Sequence, residues 1–191
     1  MKSILVVYAT TDGHARKVAE YVAAAFNRMG REVDLIEAAS PAAASVAPIY
    51  SAVVIAGSVH LGSHQAALQD FVKRNAVWLN AGPAAFLSVS LAAALDDEAS
   101  RADCRACAQK FLDETGLVPG IVLPVAGALP YTQLDWFRRF AVKMVMKRHG
   151  GNTDTSQDFE YTDWGALNRF ATEFLDAIAP RRPAKDQDRE V

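Results

Sequence analysis

The chain alternates, almost from one end to the other, between short apolar runs and stretches with helical spacing. A run that is apolar at every position is a strand covered on both faces. Residues 4–8 have that character, as do 51–56 after the opening Ser51, and 32–36, 84–91 and 121–126 complete a set of five expected strands. Helices are expected over 14–29, 63–79, 98–115 and 163–178, with Gly30 and Gly116 closing the first and third. Residues 38–48, punctuated by Pro41 and Pro48, read as a loop or loose helix. Pro124 argues for an edge position for the last strand. Strands alternating with helices imply an α/β, doubly wound parallel sheet. The expected order is 2-1-3-4-5, with a ligand beyond the strand C-termini where the order reverses.

Composition narrows the classes. The 191 residues suit one domain, expected over 1–179 with a disordered tail over 180–191. A formal net charge of -2 offers no positive field to nucleic acid. No apolar run is long enough to span a membrane, and the N-terminal run reads as a strand, so a cytoplasmic protein is expected. Cys104 and Cys107 have redox-motif spacing but fall inside an expected helix, and they read as neutral thiols. No metal site is expected.

The first strand empties into Ala9-Thr10-Thr11-Asp12-Gly13-His14-Ala15, and a helix starts at once. Free backbone N–H groups and the helix dipole make such a turn an anion site. The hydroxyls of Thr10 and Thr11 add donors, and Gly13 allows close approach. Neither the nucleoside-triphosphate loop nor the dinucleotide fingerprint is present, so a terminal phosphomonoester suits it best. The turn alone equally admits a plain helix cap.

Residues 6–19 resemble the FMN-phosphate signature of the flavodoxin family, through the strand hydrophobics, Tyr8, Thr10, Gly13 and Ala19. The family usually has a threonine where this chain has Ala15, a difference of about 1 kcal/mol in hydrogen bonding. A protonated His14 beside the phosphate is expected to compensate. From residue 4 to 174 the chain resembles the flavodoxin-type, quinone-dependent protoporphyrinogen IX dehydrogenases. The Thr-x-Asp-Gly loop carries that likeness, as do Gly57-Ser58-Val59-His60-Leu61-Gly62-Ser63-His64 and a long insertion over 129–161. The family commonly has arginine and tyrosine where this chain has His60 and Leu61.

That resemblance implies an FMN enzyme of haem biosynthesis, oxidising protoporphyrinogen IX to protoporphyrin IX and passing electrons to a membrane quinone. It places the flavin ring against Ser58, Val59, His60, Leu61 and Gly62 and against Ser88, Val89, Ser90 and Leu91, with Asp154 and Thr155 folding back over it. His60 and His64 are the candidates for moving a proton from substrate. The alternatives are an FMN electron carrier serving a protein partner, and a flavodoxin-like protein that has lost FMN.

Within the insertion, residues 134–149 have the spacing of a basic amphipathic helix. Phe137, Phe140 and Met144 fall on its apolar face. Arg139, Lys143 and Lys147 form a stripe with Trp136 beside it. Three uses are open: packing on the domain with solvated cations, peripheral contact with a membrane or substrate, and a homodimer interface.

Overall fold

A computed structural model of the chain describes residues 3–129 and 159–179. The five expected strands and four expected helices form in chain order, joined by three further short strands: β1 (Ile4–Ala9), α1 (His14–Arg28), β2 (Val33–Glu37), β3 (Ala52–His60), β4 (Ser63–His64), α2 (Ala66–Leu79), β5 (Ala84–Ser90), α3 (Glu98–Thr115), β6 (Ile121–Ala126), β7 (Ala128–Leu129), β8 (Phe159–Glu160) and α4 (Trp164–Ile178). The three beyond expectation are β4, β7 and β8. The main sheet runs β2-β1-β3-β5-β6, and all four of its pairings are parallel. Numbering only the five long strands gives the expected 2-1-3-4-5.

The core lies in two layers because alternate residues of each central strand face opposite ways. Ile4, Val6 and Tyr8 of β1 join Val54, Ala56 and Leu87 against α1 and α4. Leu5 and Val7 join Ile55 and Phe86 against α2 and α3. Gly57 lets α2 come close. A Cβ there would lie 2.6 Å from Leu68 Cδ2 and 3.1 Å from His64 Cδ2, so any side chain forces these two to shift.

Two boundaries differ from expectation. β3 continues through His60 and turns back into β4, where the sequence reads as a loop and a helix start. The second helix therefore begins at Ala66 rather than near residue 63. Between β2 and β3 a short 3-10 turn spans Pro41–Ser45. β6 is the edge strand, as Pro124 suggests. The insertion leaves at β7 and returns at β8, which pair antiparallel. Asp154, Thr155 and the amphipathic stretch, with Trp136, Phe137, Arg139, Phe140, Lys143, Met144 and Lys147, lie outside the described residues.

Candidate functional site

Beyond the C-terminal ends of β1, β3 and β5 lies a cleft of about 440 Å³. The loop after β1 contributes Thr10, Asp12 and His14. The β3–β4 turn contributes Ser58, Val59, His60, Leu61 and Gly62, and the end of β5 contributes Val89, Ser90 and Leu91. Thr11 is exposed beside the cleft, and Ala15 and Ser88 are buried.

The start of α1 is built open. Gly13 sits at the N-cap with φ 83°, in the left-handed region that suits glycine, and no side chain caps the helix. Its first-turn N–H groups therefore lack an intrahelical partner. Thr10 Oγ1 is buried with no hydrogen-bond partner in the protein. An orphaned hydroxyl beside open N–H groups is the donor set that an anion requires. The residues present thus fit a phosphate group.

The loop is held in register by a side chain that motif reading passed over. Gln65 Nε2 donates to Thr11 Oγ1 at 3.0 Å and to Ser58 Oγ at 2.5 Å. Thr11 N also donates to Ser58 Oγ, at 3.4 Å. One amide therefore ties the loop after β1 to the end of β3. Gln65 precedes α2 without capping it, so only the three-dimensional fold shows its role.

His14 occupies a second tie. Thr162 Oγ1 donates to the Ala126 carbonyl at 2.7 Å and lies 2.7 Å from His14 Nε2. With its proton committed to the carbonyl, the hydroxyl accepts from His14 Nε2–H. Burial pushes the His14 pKa below its ordinary value, Glu160 opposes this, and Lys17 adds to it. The protein around His14, taken by itself, favours the neutral ring.

The lip of the cleft is a two-residue turn. Leu61 at φ 49° and Gly62 at φ 75° join paired strands, as a type I′ hairpin requires. A leucine in that region carries strain of about 1–3 kcal/mol. It also leaves the Leu61 side chain 83% exposed at the rim. Helix α3 pins the turn: Lys110 Nζ donates to Ser63 Oγ at 2.8 Å, and Cys107 Sγ lies 3.8 Å from the Gly62 carbonyl oxygen.

His64 stands apart from the cleft. It is 5% exposed and rests edge-on against Phe86 and Phe111. Its Nε2 lies 3.0 Å from Ser88 Oγ, and its Nδ1 is buried without a partner. Burial pushes its pKa down to about 4. This corrects its placement at the flavin edge, because the β3–β4 turn swings the chain inward and seats the ring in the core. His60 does line the cleft. So do Asp103, Ala106 and Cys107 of α3, together with Ala92, Gly127 and Ala128, none of which the sequence places at the site. Burial, with Cys104 and Asp103 nearby, raises the Cys107 pKa and keeps the thiol protonated.

The family defined by the flavodoxin domain matches residues 5–156. The chain belongs to the flavodoxin family. It is 35% identical over 176 residues to the protoporphyrinogen IX dehydrogenase [quinone] of Escherichia coli strain K12, covering 88% of this chain and 92% of that protein. The Leishmania major protein of the same name is 33% identical over 182 residues, covering 94% of this chain and 78% of its own length. Among solved structures, oxidised flavodoxin 1 of Bacillus cereus superposes with a TM-score of 0.55 at 16% identity, covering 93% of this chain and 99% of that one. A short-chain flavodoxin associated with a bacterial microcompartment gives 0.54 at 16% identity, over 94% and 100%. These two likenesses concern the fold.

Proposed function

We propose that this chain is an FMN-dependent protoporphyrinogen IX dehydrogenase that passes electrons to a quinone. The observation that carries the reading is identity of 33–35%, over most of the chain, to relatives of that name. The open start of α1 supports the cofactor. Thr10 Oγ1 and the first-turn N–H groups would hold the FMN phosphate, while Gln65 fixes the loop against β3. Residues 58–62 and 89–91 would flank the flavin ring.

When bound, FMN supplies two-electron redox chemistry that no side chain offers. The protein's part is to hold it, orient it and exclude water. His60 is the imidazole placed to accept a proton at the cleft; the seat of His64 argues against that role for it. Among the described residues, no helix is long and apolar enough to cross a membrane. Contact with a quinone-bearing bilayer would thus be peripheral, through the basic stretch of the insertion, with the protein on the cytoplasmic side.

The test is anaerobic. Protein loaded with FMN is mixed with protoporphyrinogen and a soluble quinone, and porphyrin fluorescence is followed. Porphyrin formation that needs both protein and quinone is expected. Failure to bind FMN at excess overturns the flavoenzyme reading. Bound FMN without turnover points to an electron carrier instead.

A further inference from the structure

Among the described residues, edge strand β6 is covered on one face only. Ile121, Leu123 and Val125 pack into the α1–α4 layer. Val122 and Pro124 face the other way, and Val122 remains 40% exposed. Between this bare strip, α3 and the turn at Ala92–Ala94 lies a second cavity of about 750 Å³. That is within the range of small-molecule sites. The two cavities share Ala92 and Ala106, so they adjoin at those residues.

The chemistry of this cavity is specific. Leu95, Cys104, Leu112, Val122 and Pro124 make its walls apolar. Its charged lining residues among those described are Arg101 and Arg105. Arg101 bonds Asp96 at 2.5 Å and lies 3.6 Å from Glu98, and Arg105 bonds Glu98 at 2.5 Å. Two cations face two carboxylates, so the mouth is electrically balanced. A neutral, largely apolar ligand suits such a lining, and each guanidinium has more N–H donors than these pairs use.

We propose that this second cavity holds the quinone acceptor, with its prenyl chain against β6 and α3 and its ring toward Ala92 and Ala106, where the two cavities adjoin. The proposal rests on the quinone-dependent reading above. FMN, when bound and reduced, would supply the two electrons and two protons that turn a quinone there into the quinol.

The test fills the cavity from its exposed positions with Val122→Trp and, separately, Gln109→Trp. FMN-loaded protein is photoreduced without porphyrinogen and mixed anaerobically with a short-prenyl quinone in a stopped-flow instrument. Binding of the same quinone to the oxidised, loaded protein is measured by calorimetry. Each variant should weaken quinone binding at least tenfold in both measurements, with FMN affinity and the KM for porphyrinogen unchanged. Unchanged quinone affinity overturns the site, as does a raised KM for porphyrinogen instead. Should Val122→Trp fail to fold, the helix-surface Gln109→Trp decides. If quinone does not reoxidise the reduced wild-type protein, the functional reading fails and takes the site with it. If the wild type and both variants react alike, only the site fails.

Discussion

Helices α1 and α4 lie side by side on one face of the sheet, with Phe26 and Phe174 in contact at 5.9 Å, yet they begin in opposite ways. α4 is self-contained: the Asp163 carboxylate accepts from Ala166 N at 2.8 Å. α3 starts likewise, with Asp97 accepting from Ser100 N at 3.1 Å. α1 begins instead on a left-handed glycine and a buried hydroxyl with no partner. Two starts close on themselves for stability, and the third is left open to a ligand. A buried polar atom without a partner costs about 1–3 kcal/mol. Its retention at a binding loop is therefore informative in a way that a capped start is not.

The sharpest tests separate polar atoms that await a ligand from those enclosed for good. Largest is an acid effect in the core. His64 has a pKa of about 4 when folded, against 6.5 unfolded. The unfolded chain then binds the extra proton between those values. Its contribution is full above pH 6.5 and is lost as pH falls toward 4, on the order of 3 kcal/mol in total. Urea unfolding of the flavin-free protein at pH 7 and pH 4.5 should show that loss, and His64→Gln should flatten it. A wild-type stability that ignores pH over this range would remove the enclosed-imidazole account.

Next is Thr10→Val. It deletes the orphaned hydroxyl, so FMN affinity should fall by roughly 10- to 100-fold, as about 1.5–3 kcal/mol toward a charged phosphate implies. The flavin-free protein should be no less stable. Fluorescence titration and unfolding read the two quantities separately, and equal losses in both would erase the contrast between the helix starts. Smallest is Asp163→Ala, which should cost about 1 kcal/mol of stability and leave FMN affinity within roughly twofold. A larger loss of affinity would mean that α4 also shapes the cleft through Thr162 and His14.

Much of this architecture is legible in the residues. The apolar runs give away β1, β3 and β5 because a doubly covered strand tolerates nothing else. The phosphate loop is legible because Thr10 and Gly13 are neighbours in sequence. What escapes is whatever depends on pairing across the fold. Nothing local marks Gln65 as the residue joining Thr11 to Ser58, or Asp103 and Cys107 as part of the cleft wall. His64 reads as a loop residue until the Leu61–Gly62 turn is seen to fold it back beneath Gly57. Ala15 shows the converse: its difference from the family is plain in sequence, but its complete burial is visible only in the structure.

The ties at the start of α1 reach far along the chain. His14 meets Thr162, 148 residues later, and Lys17 pairs with Glu160, 143 residues later. Synthesis runs from the N-terminus, so the first loop to be made waits for nearly the last helix before these partners exist. The start of α1 therefore gains these two ties only after residues 160–162 have been made, whereas Gln65, Thr11 and Ser58, which join the loop to β3, are all in place far earlier.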